Sequence, residues 1–403
     1  VMTEIPYFPP QFDPKEYPTP SGGWSTEVQE VRNALIAPSN GRGMRQECGV
    51  FDSDRAFVDS AVLYRAGPGP LMLEPKTLPD GNEHLPGTWM WGGILLNHFG
   101  HFLTETLSRI WAYPELADKV DGILFLHKRN GVVNAFHQTF FKLCQVNKPL
   151  KVVHAPTSVE RLLVPGQGLG LGNIAYGTAK HHDFFQSRFA LDIAPDGPDR
   201  LYISRSALPS AKGGAIGETM LEENLSHAGY EIFHPQQHSL EVQIARYRAA
   251  RKIIGLDGSA LHLAGLCIGP EPDVAIIWRR SSSAAIHIVN QLHGATGKKP
   301  AMIEEIEYDW IVAERGKADR FSIGQIDVPA IGGALAGYGF LDEDPEWDSI
   351  DPNLIETQIG KISADTKNEY IPKLSRTRLR EMRLQRRAKR AASGMNVYTG
   401  TDT

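Results

Sequence analysis

The residues best suited to moving a proton in this 403-residue chain are His101 and Glu105, with Asn97 four residues before His101. A helix turns about 100° per residue, so positions i, i+4 and i+8 stack along one edge. A histidine one turn from a glutamate can be held in one tautomer or have its pKa raised, and such a pair can take a proton from a hydroxyl. Around the same wheel, Phe99, Phe102, Leu103, Leu107, Ile110 and Trp111 form an apolar face. Asn97, His98, His101, Thr104, Glu105, Ser108 and Arg109 form the polar one. Two readings are open. The polar face is simply solvated, or it carries an acid–base pair with Asn97, His98 and Arg109 supporting it or holding an acceptor. His98 and His101 have no third ligand at a recognisable spacing, so no metal site is expected.

A second group lies in IIGLDGSALHLAGLC, residues 253–267. An apolar strand runs into Gly255, Asp257, Gly258 and Ser259, then a helix carrying His262. Ligands of open α/β sheets bind beyond the carboxyl ends of strands. Glycines allow close backbone approach, and the first N–H groups of a helix can face a diphosphate. The alternative is an ordinary strand-to-helix turn with Ser259 as the N-cap. Ser204 and Arg205 end the strand RLYISR in the same manner, and an arginine there can pair with phosphate. Gly166, Gly168, Gly170 and Gly172 lack the spacing of a phosphate loop, and a flexible segment is expected there.

Elements must position these groups. Short β-type runs, AFVDSAVLYRAG and PLMLEP among them, are expected over 26–90, then one long helix over 96–112. GILFLH, KVVHAP and RLLVPG read as strands, with a helix near 133–145; strands alternating with helices argue for a parallel sheet. From 200 the alternation restarts and runs β-α-β-α-β-α-β to residue 279, as in a Rossmann-like half. The predicted division is an extended arm over 1–25, an α/β domain over 26–192, a Rossmann-like domain over 193–345 and a basic helical tail over 346–403.

Composition narrows the classes. Hydrophobic content of 41% and charged content of 22% are ordinary for a chain with full cores. A net charge of -5 argues against nucleic acid as partner. Cys48, Cys144 and Cys267 are three in number and far apart, which fits neither a disulfide framework nor a cysteine zinc site and suits a reducing compartment. Neither a signal peptide nor an apolar run of about 18 residues is visible, so a cytoplasmic protein is expected. The basic run 374–392 reads as a solvated tail, or as a surface for anionic lipid at the inner membrane face, or as a docking element for an acidic partner.

Taken together, the blocks GGILLNHFGHFLTETLSRIW and LYISRS…GYEIFHPQQHSLEVQIARYRAARKIIGLDGSALHLAGLC resemble glycosyltransferase family 61, over roughly residues 90–280. The likeness is to members found in bacterial capsular and exopolysaccharide loci. It implies an α/β protein of GT-B type, with two Rossmann-like domains facing a central cleft, and inverting transfer from a nucleotide-sugar donor to a glycan or lipid-linked acceptor. The family's His-x-x-x-Glu/Asp block falls on His101 and Glu105, its strand-end arginine on Arg205, and its glycine turn on Gly255, Asp257, Gly258 and Ser259. Where eukaryotic relatives carry histidine, this chain has Asp257, which leaves a catalytic, cation-binding or structural role open there. No cofactor beyond the donor is expected, and a divalent cation is left open. An inactive nucleotide- or carbohydrate-binding protein and another sugar-nucleotide enzyme are the alternatives.

Overall fold

The computed structural model describes residues 23–39, 41, 43–65, 69–80, 83–128 and 131–392. Most of the expected N-terminal arm, residues 1–22, lies outside them. The architecture is mixed α/β and contains two large sheets. The first has six strands, in the order Gly49–Phe51, Val28–Ala37, Thr157–Pro165, Glu83–Leu95, Gly122–His127 and Leu150–Val152. The last four run parallel to one another, while Val28–Ala37 is antiparallel to both of its neighbours. The sheet is therefore mixed, not purely parallel as strand–helix alternation predicted.

The second sheet is fully parallel, ordered Glu231–Phe233, Arg200–Ile203, Lys252–Leu256, Asp273–Ile277 and Ala301–Ile303. In chain order that is 2-1-3-4-5, which leaves a crevice at the carboxyl ends of the first and third strands. All four strands predicted between 200 and 279 are present, as are the helices Glu218–His227, Leu240–Ala249 and Ser259–Cys267 between them. Ser239 caps the second of these helices through the Val242 N–H. A smaller four-stranded sheet follows in the order Ala215–Ile216, Ile323–Ile326, Ile306–Val312 and Tyr370–Leu374.

The two large sheets share one apolar core. Phe102, Leu107 and Trp111 beside the first belong to the same buried cluster as Leu261, Ile276 and Leu292 of the second. The helices Phe99–Thr104 and Ser259–Cys267 pack on each other across this seam. The Arg-rich helix Arg376–Ala392 follows the Tyr370–Leu374 strand, and Leu379, Met382 and Leu384 on it are exposed. No helix among the described residues is long and apolar enough to cross a membrane.

Three expectations need correction. The single helix over 96–112 is two pieces, an α-helix Phe99–Thr104 and a 3-10 helix Thr106–Ala112, broken at Glu105 where φ is -118° and ψ -48°. Its polar face is not solvated: Thr104, Glu105, Ser108 and Arg109 are all buried. The glycine-rich 166–172 stretch is no loose linker, because Gln167 is buried and exchanges two hydrogen bonds with the Tyr64 backbone at 2.9 and 3.0 Å.

Candidate active site

The Glu83–Leu95 strand delivers the first half of the site. Gly93, with φ +86°, sits at a register shift against the next strand and turns the chain toward the carboxyl end of the sheet. Thr106 then pins the following segment, donating to Ile94 O at 2.8 Å and accepting from Leu96 N at 3.0 Å. This holds Glu105 inside, with no side-chain exposure, while His101 keeps 37%. Arg65 clamps the Glu105 carboxylate with two bonds, Nε to Oε1 at 2.7 Å and Nη2 to Oε2 at 2.6 Å. His101 Nδ1 lies 3.1 Å from Oε2. Burial pushes the Glu105 pKa up, but the hydrogen bonds from His101 and Arg65 outweigh it and leave the group below its ordinary 4.5.

A carboxylate that stays ionised requires the proton on Nδ1 of His101, so Nε2 is the basic nitrogen. The 3.3 Å approach of Arg65 Nη2 to Nδ1 is then a contact between two donors converging on one carboxylate. His98 stands beside this pair, its ring 4.9 Å from that of His101. Partial burial lowers its pKa, and the charges of His101, Lys212 and Arg320 add to the effect. Asn97 is exposed and accepts a bond from Asn134 at 3.4 Å. Arg109 leaves the site altogether: it is fully buried and donates to the carbonyls of Ser60, Val62 and Pro165. It ties loops to the sheet and cannot reach an acceptor.

The second half lies at the carboxyl ends of the parallel strands. Arg205 follows Arg200–Ile203, Asp257 follows Lys252–Leu256, and Arg279 and Arg280 follow Asp273–Ile277. Asp257 is buried, with Oδ1 2.5 Å from Arg279 Nε. Neither Asp257 oxygen receives an aligned hydrogen bond, and the same Arg279 Nε–H donates to the Asp257 carbonyl at 3.0 Å. Asp257 therefore brings one positive charge to the strand ends instead of setting a lone negative charge there. Arg205 lies over Gly258, where a Cβ would come 2.5 Å from its Nη1. Only glycine leaves the guanidinium that place. Burial, with the charge of Arg279 behind it, lowers the Arg205 pKa to about 10. Arg205 Nε, Arg279 Nη1 and Arg280 Nε are buried and have no hydrogen-bond partner among the described residues.

The other expected donor residues divide. Helix Ser259–Cys267 begins with Gly258 at the N-cap and no side-chain cap, so Ser259 is its first residue and the leading N–H groups are open. Ser204 does not face the crevice: its hydroxyl donates to Glu222 and accepts from Ser206 N at 3.0 Å. Gly255 is buried within the sheet, where a Cβ would press on Ile203 and Leu261 at 3.3 Å, so it serves packing. Beneath Arg205, Glu218 accepts from its backbone N–H at 2.6 Å, and burial raises the Glu218 pKa to about 7.

The halves meet. A Cβ at Gly100 would lie 3.2 Å from Ser259 Cβ and 3.6 Å from His262 Cδ2. The charges of His101, Glu105 and His287 reach His262, and those of Arg65 and Glu105 reach His287. These contacts bring His98, His101, Arg65 and Glu105 on one side near Ser259, His262, His287 and the arginines on the other. Sequence reasoning missed Arg65, Lys212, Glu218, Arg279, Arg280, His287 and Gln291. Arg279 and Arg280 carried a usable signal, being two arginines at the end of an apolar strand. Among the described residues no group of three His, Cys, Asp or Glu side chains could hold a metal ion. A separate cavity of about 470 Å³ lies at the opposite end of the parallel sheet, between Asp273, Lys298, Met302, Tyr338 and Phe340, away from this chemistry.

Residues 99–268 match the family model described as Glycosyltransferase 61. Over those residues the chain is similar to a family of glycosyltransferases. The glycosyltransferase 61 match contains His101, Glu105, Arg205, Asp257, Ser259 and His262, and leaves Arg65, Arg279, Arg280, His287 and Gln291 outside. No curated protein matches the chain when the sequences are compared.

Proposed function

We propose that the chain is an inverting glycosyltransferase of GT-B type, acting in polysaccharide synthesis, with the donor diphosphate on the 193–345 half and the acceptor on the 26–192 half. One observation carries this reading: three guanidinium groups converge at the strand ends, each with one buried N–H group unspent. Leaving buried N–H donors unpaired is costly, and a diphosphate offsets that cost. Arg205, Arg279 and Arg280 hold it, the open N-terminus of helix Ser259–Cys267 adds N–H donors, and Asp257 positions Arg279. His101 Nε2 accepts the proton of the acceptor hydroxyl while its oxygen bonds to the anomeric carbon. The bond from that carbon to the diphosphate oxygen breaks, its electron pair leaves with the nucleotide, and the arginines stabilise the charge that develops. Glu105 is buried and saturated by Arg65, so it orients His101 instead of touching the acceptor. The basic helix Arg376–Ala392 rests the enzyme on anionic lipid near lipid-linked acceptors.

Isothermal titration with UDP, GDP and their sugar conjugates tests the donor assignment. Arg205→Ala is expected to weaken the nucleotide that binds by about 10- to 100-fold, the usual worth of a charged hydrogen bond. A folded Arg205→Ala protein with unchanged affinity puts the diphosphate elsewhere.

A further inference from the structure

His262 looks at first like one more neutral histidine packed into the seam between the sheets. Its surroundings are more definite than that. Gln291, on the helix Ala284–Thr296, touches it twice: the Gln291 Nε2 amide donates to the His262 carbonyl at 3.0 Å, and Oε1 lies 2.5 Å from His262 Nδ1. The first contact decides the second. Turning the amide over would set two oxygens against each other at the carbonyl, so Oε1 must face the ring. An amide oxygen only accepts, and therefore Nδ1 of His262 carries the proton. The remaining nitrogen, Nε2, is a bare acceptor and makes no hydrogen bond among the described residues. It lies next to the Cδ2 that faces Gly100, on the side of helix Phe99–Thr104.

The second histidine of this wall has the opposite polarity. His287 Nδ1 accepts the Gly172 N–H at 3.1 Å, which puts its proton on Nε2. Burial lowers the pKa of both rings, that of His262 to about 4. Other groups around them are His101, Glu105 and Arg65 across the cleft. Two adjacent helices thus offer one uncharged acceptor and one uncharged donor, opposite the proposed base. A sugar hydroxyl both donates and accepts, and discriminating it from a missing hydroxyl needs neutral groups of fixed direction.

We propose that Gln291 is a positioning residue that fixes His262 as a hydrogen-bond acceptor for a carbohydrate hydroxyl in the cleft, with His287 as the complementary donor. The proposal rests on the glycosyltransferase reading of the same cleft. The hydroxyl belongs either to the donor sugar or to the acceptor, and the two sources give different results below.

Long-range proton–nitrogen NMR of protein labelled with ¹⁵N-histidine reads the tautomer directly, with His262→Gln assigning the signal. Wild type should show a protonated Nδ1 and a bare Nε2 on His262 from about pH 5.5 to 8, well above its pKa of about 4. Gln291→Leu should shift the ring toward protonation at Nε2. Binding is then measured with UDP, UDP-glucose, UDP-N-acetylglucosamine, UDP-xylose, GDP and GDP-mannose. If the hydroxyl is on the donor, Gln291→Leu should remove about tenfold of the affinity that the sugar adds to the bare nucleotide, leaving the bare nucleotide unchanged. If it is on the acceptor, donor binding stays and KM for the acceptor rises by about tenfold. A protonated Nε2 in wild type overturns the proposal. So does a Gln291→Leu protein whose tautomer has changed while sugar increment and acceptor KM have not. A wild-type protein with the expected tautomer that binds none of these nucleotides removes the glycosyltransferase reading itself, and this inference with it.

Discussion

The two walls of the cleft treat charge in opposite ways. On the Glu105 side every charged group is spent: Arg65 gives two bonds to the carboxylate, His101 contributes a third contact, and Glu105 has no exposed side-chain surface. On the Arg205 side three guanidinium groups crowd together, one carboxylate among them, and N–H groups point at nothing. On the proposed function, the first arrangement is complete before any substrate arrives and aims a base. The second is incomplete and is finished by an anion. Preorganisation and binding are thus assigned to different elements, and each can be disturbed without the other.

The sharpest way to break the comparison is at the base. His101→Ala should cut transfer by about 10²–10⁴-fold while nucleotide affinity, measured by titration, stays within about twofold. Loss of both together would mean that the walls are not separable. Next in size is Arg65→Leu, which strands the buried Glu105 carboxylate. Urea unfolding should show about 3–5 kcal/mol lost near pH 7. The Glu105 pKa is depressed in the folded state, so its stabilisation is full above about 4.5 and fades as pH falls through the folded value. The Arg65→Leu deficit should therefore shrink in acid.

Arg280→Ala probes the unsatisfied wall. It strands no carboxylate, since Arg280 Nη1 donates to the Asp319 carbonyl. Nucleotide affinity should fall by about 10- to 100-fold with unfolding stability unchanged or improved. An Arg280→Ala protein that binds normally but unfolds early would assign the arginine to the scaffold. Glu218→Gln should produce a smaller, pH-dependent effect. The Glu218 pKa is raised to about 7, so ionising it costs folding free energy that grows from about pH 4.5 and is complete above 7. At pH 8 the glutamine variant should be more stable by about 1–3 kcal/mol, and the gain should vanish toward pH 4.5. A gain that does not depend on pH would contradict the raised pKa.

The second wall was far more legible in the sequence than the first. Strand-to-helix alternation from 200 onward located the parallel sheet, and the rule of strand carboxyl ends led to Arg205, Asp257 and Ser259. Applied once more, it reaches Arg279 and Arg280. The first wall resisted for physical reasons. Glu83–Leu95 contains Pro86, Gly87, Gly92 and Gly93, a composition that argues against a strand, yet burial between two parallel neighbours and a register shift at Gly93 accommodate it. The helix containing His101 stops at Glu105 because tertiary partners, not the helix, satisfy the polar side chains that follow. Arg65 lies 40 residues before its carboxylate, in a two-residue strand, with no local pattern to mark it. The contact between His101 and Glu105 was visible in the spacing; the arginine that clamps Glu105 was not.

The smallest expected effect concerns the tail. Deleting the basic helix should abolish low-salt binding to phosphatidylglycerol vesicles, and unaltered co-sedimentation would exclude the lipid surface. Where the chain is cut matters. Tyr370–Leu374 pairs along Ile306–Val312, and Ser375 both bonds Ile306 O and receives the Arg378 N–H at 3.1 Å. Arg376 reaches back to Ser281, one residue past Arg280. A truncation at 370 would bare one flank of a seven-residue strand, an open template for chain-to-chain pairing, and would untie the loop that follows the arginines. A stop codon after Arg378 keeps that flank covered and separates the surface behaviour of the helix from the solubility of the enzyme.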